Sequence, residues 1–177
     1  MSPQPWLVYA PGSNIGGWTV SGDSVAVVGS FFQPADGNQS IQLSYYGPAS
    51  ISQTLVTDPT QGYTLSFYQS GNPSTDDKWV QVTFGDYTFT YMFPWGNSAS
   101  NMGWQYIVIP NLTVTGTSTT LTFTSLTNTW GGVLIDNVSV VDPPIQYNGE
   151  TQVPEPASLL LLGSGLGLAA ARLRKKA

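Results

Sequence analysis

Between Gly17 and Val141 the chain alternates apolar and polar residues with a period of two, and that alternation restricts it to half-buried strands. Tyr63, Leu65 and Phe67 alternate with Thr64, Ser66 and Tyr68. Val80, Val82 and Phe84 alternate with Gln81 and Thr83, and Leu121 and Phe123 with Thr120, Thr122 and Thr124. Turn-forming residues cut the pattern at short intervals, at Ser21-Gly22-Asp23, Asp36-Gly37-Asn38, Asp58-Pro59, Gly71-Asn72-Pro73, Gly85-Asp86 and Gly116. The reading places strands near 18–20, 24–28, 39–44, 50–57, 63–69, 79–84, 87–92, 104–109, 111–115, 119–126 and 133–141. It finds no helix before the C-terminal tail. Many short strands joined by polar turns predict an all-β fold, an antiparallel β-sandwich of jelly-roll type.

The residues that are missing narrow the chemistry. None of the 177 residues is cysteine or histidine, so disulfides, thiolate metal sites and the commonest general base are excluded. Charged residues are only 8%, and they are unevenly placed. Four of the five basic residues, Arg172, Arg174, Lys175 and Lys176, fall in the last six positions. The preceding 171 residues hold only Lys78 against all ten acids, a net charge of −9. Such a body is repelled by nucleic acid and by anionic headgroups, so nucleic acid is not an expected partner.

The tail has its own composition. Residues 143–152 read as a polar linker, followed by Val153-Pro154-Glu155-Pro156, an apolar run from Ala157 to Ala171, and the basic end 172–176. An apolar run of 15 residues is at the short end for a membrane span, which takes about 17–25. Continuing through Leu173, with the arginines snorkelling, brings it to about the minimum. The basic end then stays cytoplasmic and the body outside. This order of motif, apolar helix and basic cluster over 153–177 resembles the PEP-CTERM sorting signal of Gram-negative bacteria. The resemblance implies that Pro154, Glu155 and Pro156 are recognised by an exosortase-type processing enzyme. It also implies export to the cell envelope or beyond, initial anchoring through a C-terminal transmembrane helix, and an exopolysaccharide as a companion. The first 16 residues show neither a basic start nor a long apolar stretch, which predicts a truncated N-terminal segment or an upstream start.

The body, residues 17–142, also carries a resemblance. Gly17-Trp18-Thr19-Val20, Ala35-Asp36-Gly37-Asn38, Ile51-Ser52-Gln53-Thr54-Leu55 and Leu134-Ile135-Asp136-Asn137-Val138 follow an order similar to choice-of-anchor C domains. Those domains have a galactose-binding-like jelly roll and recur upstream of sorting tails. Their opening strand with an Asn-Gly-Ser-Phe-Glu-like motif has no counterpart here. The same likeness to jelly-roll carbohydrate-binding modules implies a structural calcium in which Asp136 is the candidate ligand. Hard oxygen donors suit such an ion.

For catalysis, the body offers only aspartates, most of them in turn contexts, and nothing isolates one as a raised-pKa acid. A carboxylate-dependent glycan hydrolase is therefore the least favoured reading, and a non-enzyme is expected. Sugar binding uses exposed aromatic faces with amide and hydroxyl neighbours. Trp95 and Trp130, each in a polar loop, are the candidate glycan contacts, whereas Trp18, Trp79 and Trp104 read as core or strand-pair residues. The expected function is that of an exported matrix or surface protein with weak glycan binding. The alternative is a purely structural or adhesive protein.

Overall fold

A computed structural model of the chain describes residues 5–142. The linker, the sorting motif and the apolar segment 157–171 expected to span a membrane lie outside the described residues. Among the described residues there is no helix.

The body forms twelve strands: β1 (Trp6–Tyr9), β2 (Asn14–Ile15), β3 (Trp18–Gly22), β4 (Val25–Val28), β5 (Ser40–Gln42), β6 (Ala49–Val56), β7 (Gly62–Gly71), β8 (Lys78–Phe84), β9 (Tyr87–Phe93), β10 (Gln105–Thr113), β11 (Ser118–Ser125) and β12 (Val133–Val141). They pair antiparallel into two sheets of six, in the orders β1-β4-β5-β12-β7-β10 and β2-β3-β6-β11-β8-β9. The expected all-β antiparallel sandwich is thus what the chain builds. Two local expectations change. The strands read at 104–109 and 111–115 are one strand, β10, with a bulge between Ile109 and Leu112. Pro110 suggested a break, but β10 is an edge strand, where a missing N–H costs no ladder bond, and Asn111 takes a positive φ of 61° to make the bulge. The opening residues, read as lying outside the sandwich, supply β1 and β2. β1 pairs along β4 from Trp6↔Val28 to Tyr9↔Val25.

The alternation seen in the sequence points into one core. Leu65 and Phe67 of β7 face Val80, Val82 and Phe84 of β8 and Phe123 of β11, all fully buried. Phe67 and Phe123 meet edge to face with centroids 5.0 Å apart. The outer faces of the two sheets differ. On the first, Ala26, Val28 and Leu134 form a second apolar cluster under Phe32 and Met102. Trp104 closes that layer by donating Nε1–H to the Gln33 carbonyl at 2.8 Å.

The outer face of the second sheet carries no such cover. Thr19, Ser52, Thr122, Thr83 and Thr88 lie in register across five strands, and Ser21, Ser50, Thr124, Gln81 and Thr90 form the next row. These rows carry hydroxyls and one amide but no charge, and their residues are exposed or half-buried. On the side where β5 and β12 face β3 and β6 the inner faces part. A cavity of about 750 Å³ opens there between the sheets.

Candidate functional site

At one end of the sandwich β5, β7, β9 and β11 stop, and the connections 43–48, 72–77, 94–104 and 126–132 gather. The second sheet's order puts β8 between β9 and β11, so the segment leading into β8 runs between the loops that carry Trp95 and Trp130. Backbone and amide bonds tie these loops together. Asn72 donates its N–H to the Gly132 carbonyl at 3.0 Å, and its side-chain amide to Gln42 Oε1 at 2.7 Å. Gly131 donates to the Ser44 carbonyl at 3.1 Å and Gly132 to the Leu43 carbonyl at 3.1 Å. Glycine is required at both positions. Gly131 has a φ of 76°, and a Cβ on Gly132 would collide with the Leu43 carbonyl oxygen. On the other side Asn97 donates to the Gly71 carbonyl at 2.7 Å, and the Trp95 N–H to Asp77 Oδ1 at 3.1 Å.

The result is a fixed loop platform that holds aromatic side chains outward. Trp95 is 64% exposed and Trp130 is 59% exposed. The structure therefore brings both sequence-derived candidates to the same end, on opposite sides of segment 72–77. Tyr46, which the sequence reading did not select, is exposed in the adjoining 43–48 loop. It packs edge to face on Tyr45 with centroids 4.6 Å apart. Tyr45 is itself anchored, its hydroxyl accepting the Trp6 indole N–H at 3.0 Å. The Tyr45-Tyr46 doublet before Gly47-Pro48 was the available signal.

Other expectations fall differently. Trp18 packs against Phe123 with centroids 5.8 Å apart, as a core-side residue should. Trp79 is a strand-pair residue rather than a core one, 45% exposed on the outer face of β8, across from Met92 on β9 and next to Leu126, both of them exposed. In the Asp76-Asp77 pair, Asp77 holds the Trp95 backbone. Lys78 beside it is buried under the platform rather than displayed.

Asp136 lies on β12 with its carboxylate already engaged. Its Oδ2 accepts the Ala35 N–H at 2.8 Å and the Asp36 N–H at 3.1 Å, and its Oδ1 accepts the Asn137 N–H at 2.7 Å. That makes it a clamp for the loop crossing the first sheet. Among the described residues no three acidic side chains gather in a way that could hold a metal ion. A calcium at Asp136 would have to draw its other ligands from backbone carbonyls and neutral side chains, against three N–H groups aimed at the carboxylate.

Residues 3–141 match the family described as "Protein of unknown function (DUF642)". The chain belongs to the DUF642 family. Residues 152–176 match the PEP-CTERM protein-sorting motif, which marks this DUF642 protein as exported and envelope-associated. Over 157 residues, 85% of the chain, it is 35% identical to halomucin of Haloquadratum walsbyi, and it spans 2% of that protein's length. Among solved structures, the DUF642 domain is similar to TmCBM61 in complex with β-1,4-galactotriose. The TM-score is 0.56 at 18% identity, covering 72% of this chain and 89% of that one. It is also similar to the CBM35 of Cellvibrio japonicus Abf62 (TM-score 0.52, 15% identity, 78% and 94% covered). A third is the CBM22-1 xylan-binding domain of Paenibacillus barcinonensis Xyn10C (TM-score 0.51, 19% identity, 77% and 92% covered). At these identities the likeness establishes the fold.

Proposed function

We propose that the DUF642 domain is a non-catalytic carbohydrate-binding module, delivered outside the cell by its sorting tail and holding polysaccharide through the loop platform. The observation that carries this reading is the pair Trp95 and Trp130, both more than half exposed, on loops that hydrogen bonds hold rigid. A loop whose backbone is already tied in place gives up little further order when its exposed indole stacks on a sugar ring. Hydroxyl and amide groups around it then fix the sugar's orientation. The carbohydrate-binding modules that share the fold support the reading. So does the uncharged hydroxyl surface of the second sheet, which offers no electrostatic barrier to a neutral glycan.

For the tail, we propose that Pro154, Glu155 and Pro156 are read by an exosortase-type enzyme. On this reading segment 157–171 holds the protein in the membrane until processing, with Arg172, Arg174, Lys175 and Lys176 on the cytoplasmic side. An exopolysaccharide made by the same cell is the companion glycan that fits an envelope-associated binding domain.

Screening the full chain against an array of neutral polysaccharides tests the main reading. Binding is expected in the micromolar to millimolar range. Trp95→Ala and Trp130→Ala should each weaken it about tenfold, equivalent to about 1.4 kcal/mol. Binding unaffected by both substitutions, or none above background, would leave the purely structural or adhesive role as the better description.

A further inference from the structure

The cavity between the sheets lies apart from the loop platform, along one flank of the core. It lies toward the opposite end of the sandwich, where β6 and β12 finish and β7 begins. Its volume of about 750 Å³ is comparable with that of ligand pockets, which run from about 300 to 1,000 Å³. Sandwich sheets normally interdigitate until such space is gone, because unfilled apolar space forfeits contacts on one side. Here Ile15, Trp18, Ile41, Leu55, Val138 and Val140 line the two walls and are only half buried. Apolar side chains are held open across the gap instead of closing on one another.

The mouth has a definite electrostatic character. Asp58 and Asp142 both line the cleft, as does Tyr63, to which each lies close. The Tyr63 hydroxyl accepts the Asp58 N–H at 2.7 Å, and Asp142 follows Val141, which pairs with Thr64. Asp58 Oδ1 accepts the backbone N–H and the hydroxyl of Thr60, both at 2.8 Å, and these bonds hold its carboxyl below the usual carboxylate range. Asp136 also lines the cleft, but its carboxylate is already engaged by three N–H groups, and the other polar side chains of the lining, Gln39, Ser40, Gln53, Thr57 and Asn137, are neutral. Among the described residues no cation offsets the carboxylates. Lys78, the one basic residue among the described residues, is at the far end of the sandwich.

We infer that this cleft binds the apolar chain of a small amphiphile whose head carries a positive charge. The chain lies between the Trp18–Leu55 wall and the Ile41–Val138–Val140 wall, and the head sits between Asp58 and Asp142. An anionic head would meet two carboxylates without a compensating cation. A neutral head would gain nothing from the charges. The inference is independent of the glycan reading, which rests on the other end of the molecule.

Alkyltrimethylammonium ions of increasing chain length, kept below their micelle concentrations, are the probes. Decanoate and decyl maltoside serve as head-group controls, and binding to the full chain is measured by isothermal titration calorimetry and amide chemical-shift mapping. Each added methylene should raise the ammonium series' affinity about fourfold, the ratio for burying one CH₂. Decyltrimethylammonium should bind at least about tenfold more tightly than decanoate, and the Asp58→Asn/Asp142→Asn pair should erase that preference. Leu55→Trp fills the cleft from a half-buried position and should abolish binding at an unchanged melting temperature. Val140→Phe serves the same purpose if the first variant does not fold. Equal binding of decanoate or decyl maltoside overturns the head assignment. Ammonium binding that survives cleft filling, or shifts confined to residues away from the cleft, overturns the site.

Discussion

Lys78 provides the strictest test of the packing argument. The alternation of β8 turns it inward, in the same row as Val80, Val82 and Phe84. In register it faces Phe93, and a Cβ on Gly71 would lie 2.9 Å from its Cγ, so its stem is fully packed. The residue is 1% exposed and its Nζ has no hydrogen-bond partner among the described residues. Burial lowers its pKa from 10.5, and the nearby Asp76 charge offsets this only in part. A buried ammonium that lacks a hydrogen bond costs several kcal/mol in desolvation, and even a buried ion pair is often matched or bettered by apolar residues of similar volume. Lys78→Met keeps most of the stem and removes the charge, so it should stabilise the domain by about 2 kcal/mol. For a domain of this size that raises the melting temperature by about 8 °C.

The pH dependence gives the same test a sign. The folded-state pKa lies below the unfolded value, so in the interval under pH 10.5 the unfolded chain binds more protons. Stability therefore rises with pH across that interval, by at most about 1.4 kcal/mol per unit, and the penalty is fully present below the folded pKa. Tyr91 acts oppositely. Burial raises its pKa from 10.0, so its contribution is present below pH 10.0 and lost above it. Urea unfolding followed by tryptophan fluorescence between about pH 8 and about pH 10 isolates the lysine. Wild type should show a rising limb and Lys78→Met should not. A variant destabilised by more than about 1 kcal/mol, or a rising limb that persists in it, would refute the claim that the ammonium is unpaired.

Four further outcomes follow from named contacts. Asp136→Ala leaves the amides of Ala35, Asp36 and Asn137 without their acceptor and should cost about 2–4 kcal/mol by denaturant unfolding. Millimolar calcium should shift the wild-type melting temperature by less than about 1 °C, because a carboxylate facing three N–H donors is a poor ligand; a larger shift, lost in Asp136→Ala, would restore the calcium site. Gly132→Ala drives a methyl group into the Leu43 carbonyl and Ser125 Oγ and should cost at least about 3 kcal/mol or abolish soluble expression. Phe123→Ala removes the ring at the centre of the Trp18 and Phe67 contacts and should cost about 3–5 kcal/mol, again by urea unfolding.

The sequence by itself determined the strands from β3 onward, β10 read as two pieces, and their inward faces. Leu65, Phe67, Val82 and Phe123 alternate with hydroxyl residues because a pleated strand sends successive side chains to opposite faces, and that property is local. It also determined the address, since the motif, apolar run and basic end of the tail are contiguous. Whether a given position is covered was decided only by tertiary structure. Trp79 and Lys78 are neighbours at the start of β8, yet the tryptophan stands on an uncovered face while the lysine is sealed against Gly71 of β7 and Phe93 of β9. The strands read at 104–109 and 111–115 join through Pro110 because the sheet order puts it on an edge, and the opening residues, read as lying outside the sandwich, pair with β4 through Trp6–Tyr9. Trp95 and Trp130 were legible as loop aromatics, but their meeting at one end depends on β8 lying between β9 and β11. The cleft was not legible at all. Ile41, Leu55 and Val138 carry the same alternation as the closed core, and only the divergence of the two sheets leaves them apart. Burial and enclosure are relations between segments far apart along the chain, and no local pattern carries them.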